Sequence, residues 1–220
     1  MSNAGGMDRI EIVRPRDIEA RSFQIIGEEL GPLDVDPSTQ LVIKRAIHAT
    51  ADFDYARTLA FSAHAVQRGV EALRGGATVV TDTTMAAAGI NKRVLGRFGG
   101  EVRCFVADED VAQEARERGV TRSAVAMERT AGLAGPLVVA LGNAPTALVR
   151  LCELLEEGAM EPPALVVGVP VGVVNVVESK ELLLQTDVEH IVARGRKGGS
   201  TVAAAICNAL LYIASNDQRW

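Results

Sequence analysis

An alternation that begins near residue 77 limits this chain more than any other feature. Short apolar runs rich in β-branched residues occur at ATVVT (77–81), VRCFVA (102–107), LVVAL (137–141), ALVVGV (164–169) and HIVAR (190–194). Segments of helical character follow most of them: DVAQEARERG with TRSAVAMERTAG, then PTALVRLCELLEEG, then STVAAAICNALLYIA. A strand that is apolar on both sides must be covered on both faces, and a helix between strands lets them run parallel. The expected fold is therefore α/β: a three-layer α/β/α, doubly wound, mostly parallel five-stranded sheet of flavodoxin-like type.

The first 75 residues read differently, as a helical N-terminal part. Asp36-Pro37 supplies a side-chain cap followed by a proline in the first turn, opening a helix that runs to about Thr50. Ser62 is placed to cap a third helix that ends at Gly75-Gly76. On that helix Ala63, Val66, Val70 and Leu73 share a face and His64 points away, which puts His64 on the solvated surface. His190, at the start of the last strand, receives the same surface reading. No internal repeat or low-complexity linker divides the chain, so a single domain is expected over residues 8–216, with MSNAGG (1–6) read as a tag remnant.

Composition narrows the function. A net charge of −5 and an aromatic fraction of 4% oppose nucleic-acid binding, which needs a basic footprint and stacking surfaces. Every apolar run is broken well before a membrane-spanning length and no basic-then-apolar leader is visible, so the cytoplasm is the expected compartment. Cys104, Cys152 and Cys207 lack metal-ligand spacing and read as buried thiols, with no metal site expected. RGRKGGS (194–200) lacks Walker A spacing and no GxGxxG follows a strand, which weakens ATP and nicotinamide dinucleotides as ligands.

Only three histidines are present, and His48 is the one in an informative setting. On a helical wheel Val42, Ile43, Ala46, Ile47 and Ala49 form an apolar stripe, while His48 shares the opposite side with Leu41, Lys44 and Arg45. Two readings stand: an exposed histidine on a polar face, or a proton handler looking into a cleft. Lys44 and Arg45 would lower its pKa and Asp52, one turn on, would raise it.

Ligands of open α/β sheets bind beyond the carboxyl ends of the strands. Here those ends carry TDTTM (81–85, with Thr83 and Thr84), GNAPTA (142–147, with Asn143), PVG (170–172, with Gly172) and RGRKGGS (with Arg196 and Lys197). TRSA adds Arg122 and Ser123 in the first turn of a helix, where free amides and a guanidinium suit a carboxylate or phosphate. Each motif alone is also explained by turn chemistry or a solvated surface. Together they point to several anion contacts around one cleft, and so to an acidic small molecule.

The same residues carry a family resemblance. IKRAIHATADFDY, TDTTMAAAGINKR, FGGEVRCFVAD, TRSA, GNAPTAL, GVPVG…ESKE and GRKGGSTVAAAICNALLY, spanning about residues 14–214 in one order, resemble the precorrin-8X methylmutases of cobalamin biosynthesis. The ATADFD and TDTTM…GINKR segments are most similar to the cobalt-precorrin-8 branch of the anaerobic route. The resemblance implies an isomerase that shifts a methyl group from C-11 to C-12 of the macrocycle, giving cobyrinate, or hydrogenobyrinate on the aerobic route. It implies no resident cofactor, since any cobalt belongs to the substrate, a corrinoid small-molecule partner, and a homodimer. It places the active-site histidine at His48, further contacts at Arg21 and Ser22 in ARSF, and the anion-binding pair at Arg122 and Ser123. On the wheel Ser22 lies within the apolar face of Ile18, Phe23, Ile25, Ile26 and Leu30, so its hydroxyl either faces a cleft or bonds back to its own helix. One departure stands out: GVPVGVVNVVESK has Asn175, Val176 and Val177 where the family usually has Gly or Ala, a bulkier loop expected to crowd the ligand. A corrinoid carrier without catalysis and a phosphate- or nucleotide-binding enzyme are the alternatives.

Overall fold

All five expected runs contain a strand; in four of them alternate side chains enter cores on opposite faces, whereas the edge strand Glu101–Arg103 has two exposed charged residues around a half-buried valine. The structure, a computed structural model, describes residues 10–216; the MSNAGG opening lies outside the described residues. The strands are β2 (Thr78–Thr81), β3 (Glu101–Arg103), β4 (Leu137–Leu141), β5 (Leu165–Gly168) and β6 (His190–Ala193). Val79, Val138, Val167 and Ile191 point into one core, while Val80, Val139, Val166 and Val192 point into another on the opposite face.

A sixth strand, β1 (Leu59–Phe61), pairs antiparallel with β6 at the sheet edge. Three residues offer too little alternation to be told from helix, so this strand is missing from the five-strand expectation. The spatial order is β1-β6-β5-β4-β2-β3, with every pair but the first parallel. Without β1, and counted from the other edge, it is the flavodoxin-like order.

One face is covered by α2 (Pro37–Thr50), α4 (Ala65–Arg74), α6 (Lys92–Arg97) and α11 (Ser200–Ser215), whose Ile47, Leu73, Leu95 and Leu210 share a core. α1 (Ile18–Leu30), α3 (Tyr55–Thr58) and α5 (Thr84–Gly89) complete this side by packing on α2 and α11. The other face holds α8 (Arg122–Ala131), α9 (Pro145–Glu156) and α10 (Val176–Leu183), with α7 (Glu109–Arg118) against α8. Among the described residues no helix is long and apolar enough to cross a membrane.

Local chemistry sets most helix starts. Asp36 caps α2 as expected, accepting from Ser38 N (2.9 Å) and Thr39 N (3.1 Å). Ser62 does not cap α4: its hydroxyl bonds Glu189, and His64 occupies the cap position without a side-chain bond. His64 is exposed as expected, but Ala63 is too, and the buried face of α4 is Ala65, Gly69, Val70, Ala72 and Leu73. His190 corrects its surface reading: it is buried, with Nδ1 2.9 Å from the Val188 carbonyl. Its backbone N–H donates to the Ser62 hydroxyl just beyond β1, at 2.8 Å.

Candidate active site

The carboxyl ends of the strands are built by buried charges. α6, after β2, lies on one face and α9, after β4, on the other, so the gap between these neighbouring strand ends is the point where the winding reverses. Asp82 fills it. Its carboxylate accepts from the backbone N–H groups of Gly142 (2.9 Å), Asn143 (2.7 Å) and Ala144 (2.7 Å). Burial raises the Asp82 pKa, and the three amide hydrogen bonds oppose that rise.

The 194–199 turn is pinned in a similar way. Lys180 on α10 is fully buried and donates to the carbonyls of Gly195 and Lys197, both at 2.8 Å. Desolvation pulls its ammonium down to about 8. A methyl group on Gly198 would sit 2.1 Å from the Val169 carbonyl oxygen, so only glycine lets this turn pack on β5. The Lys197 side chain leaves the turn outward and meets Asp52 and Asp54, both at 2.7 Å. Those two carboxylates raise its pKa through hydrogen bonds.

On the α11 side of these ends lies a cleft of about 340 Å³ lined by Arg45, His48, Met85, Ser200, Thr201 and Asn208, among others. Four of the five residues assigned to the α2 stripe are buried and Ala49 is half-buried, which leaves His48 solvent-accessible at the cleft mouth. The His48 ring lies 5.4 Å from that of Phe23. Desolvation lowers its pKa most, Arg45 lowers it further, and Glu19 opposes them. The compensating carboxylate is Glu19 from α1 rather than the expected Asp52, which pairs with Lys197. Thr83 caps α5, accepting from Ala86 N (3.1 Å), and its hydroxyl is 2.8 Å from that of Ser200. Asn208 accepts from Asn91 N and donates to Gly89 O, both at 2.8 Å, holding the end of α5 on α11.

The sequence-selected residues divide between settings. His48 and Thr83 belong to this cleft or touch its wall, and Thr84 is exposed at the start of α5. Asn143 is exposed beyond β4, and Gly172 (φ +147°) donates to the carbonyl of Arg196 at 3.2 Å, which leaves the Arg196 side chain exposed. Lys197 is occupied by Asp52 and Asp54. Arg122 and Ser123 open α8 behind the Thr121 cap, beside a second cleft of about 560 Å³ between α8 and α9. That cleft is larger, but its Arg118 and Arg150 are both paired with Glu128. The arginines of both clefts are paired with protein carboxylates, Arg45 with Glu19 in the smaller one, and of the two only the smaller cleft presents a histidine.

Arg21 is bidentate with Glu11 (2.8 and 3.1 Å), and the Ser22 hydroxyl bonds back to the Ile18 carbonyl at 3.0 Å. The α1 residue in contact with His48 is Phe23, whose apolar type gave no functional signal. In the unusual loop Asn175 adopts φ +56°, a left-handed conformation asparagine tolerates, and Val176 is buried. The added bulk of Val176 thus turns into the fold. Asp82, Lys180, Ser200 and Arg45 were not selected; Asp82 and Lys180 had only a charge within an apolar-flanked segment to betray them. Among the described residues no group of His, Cys, Asp and Glu is placed to hold a metal.

Comparison with known proteins gives a consistent result. The family described as precorrin-8X methylmutase matches residues 17–213. The chain is 46% identical to the cobalt-precorrin-8 methylmutase of Salmonella typhimurium, covering 91% of this chain and 96% of the relative. It is 41% identical to the enzyme of the same name from Priestia megaterium, covering 93% and 90%. The crystal structure of a precorrin-8X methylmutase from Thermus thermophilus superposes with a TM-score of 0.83 at 40% identity, covering 91% of this chain and 98% of that one.

Proposed function

The chain belongs to the precorrin-8X methylmutase family, isomerases of corrin-ring biosynthesis, and from that premise we propose that it moves a methyl group from C-11 to C-12 of cobalt-precorrin-8 with His48 as the proton donor. The observation that carries this reading is His48 at the mouth of a cleft whose wall supplies a guanidinium from Arg45 and the paired hydroxyls of Thr83 and Ser200. His48 hydrogen-bonds to, or protonates, a ring nitrogen and draws electron density toward it, so that the C-11 bond to the methyl weakens as the C-12 bond forms. Such a donor contributes roughly 10²- to 10⁴-fold. Holding the macrocycle in the reactive shape contributes more.

The substrate is a polycarboxylate, which is why spaced cationic and amide contacts suit it. Thr83, Thr84, Asn143, the Gly172 turn and Arg196 are proposed to bind it at the strand ends, and Arg122 and Ser123 to receive outer carboxylates. Arg21, Ser22 and Lys197 act in this scheme only if substrate displaces their present partners. A cleft of about 340 Å³ takes one edge of a macrocycle and leaves the rest at the rim, where Met85 is 69% exposed; Val173 and Val174, in the loop after β5, are 74% and 73% exposed. Apolar surface of this kind supports a homodimer. Cobalt, where present, is part of the substrate; the names of the two relatives above favour the cobalt form.

The test is turnover of precorrin-8 with and without cobalt, followed by the visible spectrum. Conversion to cobyrinate or hydrogenobyrinate is expected. Tight product binding without turnover would instead identify a carrier, and binding of neither would remove the corrinoid reading.

A further inference from the structure

Arg45 stands three residues before His48 on α2, so the two side chains share one helix face and line one cleft. The guanidinium is held from three sides. Its central carbon lies 4.9 Å from the Phe23 ring centroid and 4.9 Å from that of Tyr212, and Glu19 pairs with Nη1. These partners come from α1 and α11, so the packing of three helices fixes where this charge sits. Two aromatic rings pack against the guanidinium, whose planar fork of N–H donors is suited to a carboxylate. The side chain is 11% exposed, in a setting where a charge acts on its neighbours with little screening.

We propose that Arg45 is a second working residue of this cleft: it receives a peripheral carboxylate of the substrate and, through that contact, controls the charge of His48. The proposal rests on the corrinoid reading above. In the empty cleft the Arg45 cation discourages a second positive charge on His48, while the Glu19 anion offsets part of this. The charged groups that act on His48 are Arg45 on its own helix and Glu19 on α1; Lys44 stands one turn back on the same helix, and Tyr212 on α11 lines the same cleft. α5 contributes only Met85 and Gly89 to the cleft wall. A substrate carboxylate seated on the guanidinium adds negative charge beside the imidazole, and His48 takes up a proton from solvent. The proton donor is thereby charged when substrate is in place.

The test follows the three histidine ring resonances by NMR titration in wild-type protein, R45M, R45K and E19Q, empty and with hydrogenobyrinate. Buried His190 reports whether each variant is folded. In the empty protein the His48 midpoint should rise in R45M, stay near wild type in R45K and fall in E19Q. Hydrogenobyrinate should raise it in wild type and R45K but little in R45M, which should bind about tenfold to a hundredfold more weakly for loss of a charged hydrogen bond. An unmoved His48 midpoint in folded R45M, or undiminished hydrogenobyrinate affinity there, overturns the role of Arg45 while leaving the function intact. Wild-type protein that neither binds hydrogenobyrinate nor converts precorrin-8 overturns both.

Discussion

Lys197 and Asp52 meet at 2.7 Å, and that ion pair joins the turn before α11 to the segment just after the helix that carries His48. Asp54 grips the same ammonium at 2.7 Å. A residue chosen as a substrate anchor is therefore a strut between two walls of the cleft. Exposed ion pairs contribute about 0–1 kcal/mol, so Lys197→Met should barely lower stability in thermal melts. It should lower kcat if the strut positions His48. Unchanged kcat in a variant that also binds product normally would dismiss the strut.

His48→Ala should abolish methyl migration while leaving product affinity within about tenfold, 1.4 kcal/mol, because the carboxylate contacts remain. Arg122→Ala should show the opposite split, losing about 1.5–3 kcal/mol of binding. Measuring both at saturating substrate separates chemistry from binding. A fully active His48→Ala enzyme would sink the proton-donor role without touching family membership.

Lys180 should leave a signature in stability against pH. Its folded pKa, about 8, lies below the ordinary lysine value of 10.5, so between these values the unfolded chain holds a proton that the folded protein has lost. Unfolded binding of the extra proton makes stability rise with pH across that window. Relative to Lys180→Met, wild type should gain stability from pH 8 to about 10, read by denaturant midpoints. At pH 7 the variant should be less stable by about 1–3 kcal/mol, since two buried carbonyls lose their donor. Parallel pH curves for the two proteins would refute the account.

Gly198→Ala tests the packing of the 194–199 turn. The added methyl would lie 2.1 Å from Val169 O and 2.8 Å from Pro170 O, both backbone atoms that cannot rotate away. The turn must shift, and with it Lys197 and the start of α11 beside His48. Loss of activity exceeding loss of helical signal is expected by parallel assay and circular dichroism; wild-type activity would show that the turn has slack.

How much was legible depended on the range of the interaction. Five strands, the parallel sheet and the capped α2 were written locally, as short continuous apolar runs separated by helical segments and as Asp36-Pro37, since strand and helix signals are set by neighbours in sequence. The sidedness of His48 was legible too, because helical periodicity fixes which residues oppose a buried stripe. The three-residue β1 and the burial of His190 were not, since an edge strand that short exists only by pairing with β6. Chain order also could not show that Asp82 bonds Gly142, Asn143 and Ala144, or that Lys180 bonds the turn after β6. Nor could it show that Glu19 rather than Asp52 offsets the charges around His48, or that Phe23 packs beside its ring. Those choices belong to tertiary structure. A buried charge or a ring edge acts on whatever packing brings within a few ångströms, and that proximity arises only when α1, α2 and α11 are laid against the sheet.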